Sequence, residues 1–392
     1  PGPSGTQYVC TGWVGTGSVP PSGTGTSVTF TLDEPSSITW TWKIQYQVIF
    51  DQTGVGSDFT GPVVNIDSIG YGVGSLPVSF WWDKDSIHDF DFKSPLIVHA
   101  NKSYVWQSTS GLSSLQSETL TITTSGNVVG NYIEQNRITF DQTGVGPDFA
   151  GVVVTIDGVN YTRAQLPISF PWNINSTHTF AFKSPLVVNT SKRYVWNSTT
   201  GLSSSQSGSI KVTTYGSIVG NYKTKYYLTV TSPYGTPGGE GLYYDGSTAY
   251  ATVTPLTVPG PEGVQYVFTH WSGNATGNTS PSDPIIMNAP KTATANWKTR
   301  YTLDVSPPSP GSPNPTSGWF DAGSVTASVT SPSLGPSGTQ YVCTGWVGTG
   351  SVPHSGTGKT VTFTISEPST ITWQWKTQYY LTVQTNAPTT IP

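Results

Sequence analysis

Apolar and polar residues alternate with a period of two in short runs along this chain. Ile38, Trp40, Trp42, Ile44, Tyr46, Val48 and Phe50 form one run. Ala293, Ala295, Trp297, Thr299, Tyr301, Leu303 and Val305 form another, and Ile371, Trp373, Trp375, Thr377, Tyr379, Leu381 and Val383 a third. That period puts alternate side chains on one face of a β-strand. No stretch keeps a helical period of 3.6 residues. Gly, Pro, Asn and Asp bound the runs at short spacing, which indicates a sandwich or a partly open barrel. The expected fold is all-β: tandem small Ig-like β-sandwich domains in a linear, rod-like array.

The runs return to one short phrase. It reads Thr41-Trp42-Lys43, Asn131-Tyr132-Ile133, Asn221-Tyr222-Lys223, Asn296-Trp297-Lys298 and Gln374-Trp375-Lys376. The central aromatics lie 90, 90, 75 and 78 residues apart. A beat of this kind marks tandem copies of one folding unit. Residues 44–133 and 134–223 are close copies: Phe50 to Gly56 recurs as Phe140 to Gly146, and Tyr104-Val105-Trp106 as Tyr194-Val195-Trp196. Residues 224–298 and 299–376 are a shorter pair, in which Gly241 to Ser247 matches Gly318 to Ser324. Residues 1–43 repeat 334–376 almost letter for letter, so they form the C-terminal half of another short repeat. Residues 377–392 begin one more, since Tyr379-Tyr380-Leu381-Thr382-Val383 echoes Tyr226 to Val230. Aromatics at matching positions in every copy read as core.

The period of two survives each junction, and no flexible linker intervenes. A run of 13 such residues spans about 40 Å when extended. The expected joint is a last strand passing directly into the first strand of the next domain, which makes a stiff connection.

Composition supports an array of small β-domains. The 392 residues include 43 Gly and 31 Pro, and only 10% are charged, against roughly 25% in ordinary soluble proteins. The net charge is −4. No basic stripe is present, so nucleic acid is not an expected partner. No apolar run approaches the roughly 18 residues of a membrane span. No secretion signal is visible; the chain opens inside a repeat, so the natural N-terminus is expected to lie elsewhere. Cys10 and Cys343 share a repeat position that Phe268 fills in a third copy. They read as small buried hydrophobes, with no disulfide expected between them.

Catalytic chemistry finds little support. Phosphate-loop and His-Glu-x-x-His motifs are absent from the sequence. Of the histidines, only His88 and His178 occupy equivalent positions. A catalytic reading needs a nucleophile and a carboxylate recurring with them, and none is expected. Asp83, Asp85, Asp89 and Asp91 supply oxygen ligands of the kind calcium takes. The sister repeat places Asn173, Asn175, Thr179 and Ala181 there, so a solvated acidic strand is the preferred reading. No cofactor, metal or enzyme activity is expected. Trp82 matches Trp172 and reads as core, whereas Trp81 is Pro171 in the sister copy and reads as exposed. The closing lysines Lys43, Lys223, Lys298 and Lys376 read as solvated edge-strand charges. Asn-x-Ser/Thr occurs at Asn101, Asn160, Asn175, Asn189, Asn197, Asn274 and Asn278, which are candidate sites for N-linked glycans.

The short repeats resemble bacterial and archaeal cell-surface repeats related to the internalin B-repeat. The matching residues are Tyr243 to Ser247, Tyr266 to Gly273 and Thr292 to Lys298, with Trp319 to Ser324 and Tyr341 to Trp346 in the next copy. The long repeats look like companion modules of large archaeal surface proteins. The resemblance implies an extracellular, surface-layer, wall-associated or filamentous role without catalytic residues. The expected function is structural: a repeat segment of a cell-surface array, surface layer or self-assembling filament. The alternative is an adhesin that binds glycans or a partner protein. The expected partner is the chain itself, head to tail, with residues 377–392 supplying a strand to the incomplete N-terminal domain.

Overall fold

A computed structural model describes residues 2–306 and 310–385 of the chain. They form an all-β structure of several sheets. The helical elements among the described residues are two short 3-10 turns, Val73–Ser75 and Arg163–Gln165. The chain divides into two compact units: Pro1–Leu186 with Val195–Tyr222, and Val187–Tyr194 with Lys223–Pro392.

In the first unit, residues 44–133 contribute to two sheets. The strand Ser37–Thr53 pairs antiparallel with Val78–Asp83 and parallel with Gly126–Thr143. The latter pairs antiparallel with Lys102–Gly111, which pairs with Leu96–His99. The second sheet runs in the order Ser117–Thr121, Ile87–Phe92, Pro62–Ile66, Ile69–Gly72. Val48, Phe50, Val128 and Tyr132 from the first sheet join Val64, Ile66, Phe90 and Phe92 from the second in one buried cluster. The alternation explains this: Phe90 and Phe92 turn inward, while Asp89 and Asp91 alternate with them toward solvent. Each buried Phe contributes roughly 1.5–3 kcal/mol of hydrophobic stabilisation. In residues 134–223 the sheet Val159–Thr162, Val152–Ile156, Thr177–Phe182, Ser207–Lys211 repeats the second sheet's order.

In the second unit, residues 224–298 and 299–376 each hold their own buried cluster. Val264–Gly273 pairs with Lys291–Val305, and Thr339–Thr349 with Ser369–Tyr379. A three-stranded sheet of Pro313–Asn314, Gly323–Val329 and Thr360–Ile365 faces the last core.

The junction strands run unbroken, as the period of two predicts. Ser37–Thr53, Gly126–Thr143, Lys291–Val305 and Ser369–Tyr379 each continue through a repeat boundary. The aromatic phrase has a structural partner that the sequence did not announce. Opposite it, the neighbouring strand carries a β-bulge in four copies: at Cys10/Gly12, opposite Asn131/Tyr132, at Phe268/His270 and at Cys343/Gly345. The bulge adds one residue and strengthens the local twist where one repeat ends.

The phrase aromatics are not uniformly core. Tyr132 and Tyr222 are buried, Trp297 and Trp375 half-buried, and Trp42 is exposed. The cysteines are half-buried rather than buried, and both are free thiols. Residues 380–385 carry no strand, and residues 386–392 of the expected 377–392 segment lie outside the described residues.

Candidate functional site

The expectation that nothing chemical recurs with the histidines is wrong. His88 is the second residue of the strand Ile87–Phe92. Its Nδ1 lies 2.7 Å from Asp67 Oδ2, and its Nε2 lies 3.1 Å from Ser86 Oγ. In the next repeat, His178 Nδ1 lies 2.7 Å from Asp157 Oδ2 and Nε2 lies 2.8 Å from Ser176 Oγ. Each aspartate sits in a tight turn between two paired strands, with φ of 45° at Asp67 and 46° at Asp157. Each also accepts a main-chain N–H through its other oxygen, from Asp89 and Thr179 respectively. Each imidazole stacks on the matching tryptophan, Trp82 or Trp172. Trp82 is half-buried and packs against the core cluster.

The set has the residue types of a hydrolytic triad, with each serine hydroxyl between an imidazole nitrogen and a main-chain oxygen. Ser86 Oγ donates to the Asp83 main-chain oxygen at 2.6 Å, and Ser176 Oγ donates to that of Asn173 at 2.6 Å. The same hydroxyls lie 3.1 Å from His88 Nε2 and 2.8 Å from His178 Nε2, so the one proton of each hydroxyl faces two acceptors. A nucleophilic serine directs that proton to the imidazole. The neighbouring main-chain N–H groups are engaged as well: Ser86 N with Asp83 O, Asp85 N with Ile122 O. The arrangement pins turn, strand and tryptophan together. Burial opposes charge on Asp157, yet the bonds from His178 and Thr179 outweigh it and hold the carboxyl below the usual aspartate range.

A second polar cluster surrounds Lys102. Its Nζ lies 2.9 Å from both Asp58 Oδ2 and Glu134 Oε2, and Tyr104 OH donates to Asp58 Oδ1 at 2.6 Å. The Tyr104 and Lys102 bonds hold Asp58 below the usual range. Burial works against the Lys102 charge, but the Glu134 and Asp58 bonds outweigh it, and its pKa is raised. The cluster ties the loop at Asp58 to the strands Lys102–Gly111 and Gly126–Thr143.

The four aspartates do not form a cation cage. Asp83 is held by Lys43 and Gln45, and Asp91 by Lys93. Asp85 lies near Lys84, and Asp89 lies on the strand beside the Asp67 turn. Among the described residues no group of three or more His, Cys, Asp or Glu converges as metal ligands. Of the closing lysines, Lys223, Lys298 and Lys376 are exposed, while Lys43 pairs with Asp83 at 2.9 Å and Lys298 with Asp321 at 2.7 Å. Lys223 lies over the Tyr244 ring. Trp81 is exposed.

All seven sequon asparagines, Asn101, Asn160, Asn175, Asn189, Asn197, Asn274 and Asn278, are exposed. Asn160, Asn189 and Asn274 accept hydrogen bonds through Oδ1, from Thr155, Ser191 and Thr292. Among the described residues no helix is long and apolar enough to cross a membrane. No family model matches the chain, and neither a curated protein nor a solved structure matches it.

Proposed function

We propose that the chain is a structural, extracellular protein: a repeat segment of a cell-surface array, surface layer or self-assembling filament. In this reading its Ig-like β-sandwich domains are joined head to tail into a rod. The observation that carries it is the unbroken strand at the repeat boundary, as in Ser37–Thr53 and Lys291–Val305. A shared strand transmits load and orientation from one domain to the next, as a structural array requires. The histidine clusters serve the same purpose by fixing turns within the long repeats. The proposal includes no enzyme activity and no cofactor.

N-linked glycans on the seven exposed asparagines belong to this reading. A surface with so few charges gains solubility from them. The sequon contacts that fall on Oδ1 leave Nδ2, the atom an N-glycan uses, for modification.

The test is surface labelling of source cells with antibodies to the folded chain, combined with peptide mass spectrometry. Surface label, protease shaving of the epitope and added hexose mass on the sequon peptides are expected. Label confined to permeabilised cells would overturn the reading.

A further inference from the structure

Lys102 stands between two carboxylates inside the first long repeat. Its Nζ lies 2.9 Å from Asp58 Oδ2 and 2.9 Å from Glu134 Oε2. Strand register explains the convergence. Lys102 faces Asn136 and Tyr104 faces Glu134 across the antiparallel pair, so Lys102, Tyr104 and Glu134 project from one face of the sheet. Asp58 meets them from the loop that follows Ser37–Thr53. Gly56 leaves room for this approach: a Cβ there would lie 2.5 Å from the Tyr104 hydroxyl and 2.8 Å from Asp58 Oδ1. The Lys102 and Glu134 side chains are only 19% and 21% exposed, so amine and base are largely withdrawn from water, while Asp58 at 42% keeps a route to solvent.

These groups are the parts that amide formation requires. Lys102 offers an amine nucleophile, and Asp58 a carboxyl carbon one bond from the oxygen that Nζ touches. Tyr104 donates its hydroxyl proton to the other oxygen, Asp58 Oδ1, at 2.6 Å. That bond polarises the carboxyl group and stabilises negative charge developing on Oδ1. Glu134 Oε2 is within reach to take a proton from Nζ. Its Oε1 is held by Asn136 Nδ2 at 2.7 Å, which fixes the base in place.

We propose that Lys102 and Asp58 condense into an intramolecular isopeptide bond, with Glu134 carrying the protons. Nζ passes a proton to Glu134 and attacks Asp58 Cγ. The Nζ–Cγ bond forms, the Cγ–Oδ2 bond breaks, and Oδ2 leaves as water. Of the three ammonium protons, one stays on the amide and two depart with Oδ2 by way of Glu134, which ends as the carboxylate it began as. No oxidant or co-reactant is needed. At rest the ammonium and the carboxylates stabilise one another, so the step draws on the minor fraction in which Nζ has given up its proton. It occurs once in the life of a chain, so a slow step suffices. The product staples the Asp58 loop to the strand Lys102–Gly111 and restricts the unfolded chain. The second long repeat carries Asp148, Lys192 and Tyr194 at the matching positions but Thr224 in place of Glu134. Without the proton carrier, that repeat forms no such bond.

The test is intact-mass spectrometry of the folded 1–392 chain, followed by tryptic mapping. The chain should be lighter than its sequence by one water. The peptide carrying Asp58 should be joined to the peptide carrying Lys102, and those carrying Asp148 and Lys192 should be separate. Glu134→Gln should restore the full mass, and so should Lys102→Arg, which keeps the positive charge; circular dichroism checks that both variants fold. A wild-type chain that stays at full mass on prolonged incubation would overturn the proposal. So would a join from Lys102 to Glu134 instead of Asp58, or a Glu134→Gln chain that is still joined. Surface labelling of source cells is blind to this bond, so its failure is distinguishable from failure of the array reading.

Discussion

Trp82 lies flat on His88, with ring centroids 3.7 Å apart and planes 7° apart. Trp172 and His178 repeat the stack at 3.6 Å and 3°. Each histidine thus joins three elements: the turn aspartate, the serine two residues before it, and a tryptophan of the other sheet. His88→Ala removes the ring beneath Trp82 and leaves Asp67 Oδ2 without its partner, while Oδ1 keeps the Asp89 N–H. The expected loss is about 1–2 kcal/mol in the first long repeat, the scale of a charge-assisted hydrogen bond plus one stacked pair at a partly exposed site. Hydrogen exchange of peptides from Pro62–Ile66 and Ile87–Phe92 reads it locally. Unchanged protection there would make the cluster ornamental.

Acid sensitivity should be written in Asp157. Its folded-state carboxyl titrates below the ordinary aspartate value, because the bonds from His178 and Thr179 outweigh the effect of burial. The unfolded chain therefore binds the proton more readily than the folded one. The stabilisation is complete above the unfolded-state value and is lost as pH falls through the folded-state value. Asp157→Asn should weaken the second long repeat at neutral pH and flatten its loss of protection on acidification. Exchange protection of Val152–Ile156 measured from neutral pH to the acid transition checks both. An unaltered acid limb would show that other carboxyls govern it.

The strand joints were legible in the sequence because a period of two is a local property. Ile371, Trp373, Trp375 and Thr377 keep it whether or not their neighbours are known. The histidine cluster was illegible for the opposite reason. Asp67 lies 21 residues before His88, and only the pairing of Ile66 with Phe90 brings the turn beside the ring. A signal was nonetheless present: Asp67, Trp82, Ser86 and His88 all recur, at Asp157, Trp172, Ser176 and His178. Testing every polar residue for recurrence at the repeat offset would have exposed it.

The bulge opposite the aromatic phrase makes a testable demand on Gly345. Its φ is 151°, and a Cβ built there would lie 2.0 Å from the main-chain oxygen of Gly356. Gly12 repeats the constraint with φ of 143° and 1.9 Å to Gly23 O. Backbone cannot yield as a flexible side chain can, so Gly345→Ala should cost on the order of 2–4 kcal/mol. Gly358, with φ of 105° and open space around it, should cost only about 1–2 kcal/mol for its backbone conformation. Thermal unfolding of the two variants side by side orders them. Equal losses would mean that backbone conformation alone, not the collision, decides.

Tyr132 closes its repeat by reaching across the core. Its hydroxyl donates toward Lys93 O at 2.9 Å, with Val63 O at 3.2 Å, and burial pushes its pKa up so that it stays a neutral donor. Tyr222 makes the same pair with Lys183 O and Val153 O. Tyr132→Phe keeps the ring and its packing and removes the donor alone. Val63 O still accepts from Lys93 N, so the carbonyl left short is that of Lys93. One net hydrogen bond is lost, about 1 kcal/mol. Tyr222→Phe should cost the same in its own repeat, and the double variant should show the two losses added, because the sites share no partner. Exchange protection of Phe92 and Lys93, and separately of Phe182 and Lys183, measures each loss where it occurs. A loss in Tyr132→Phe that spread equally to Lys183 would mean that the two long repeats unfold as one.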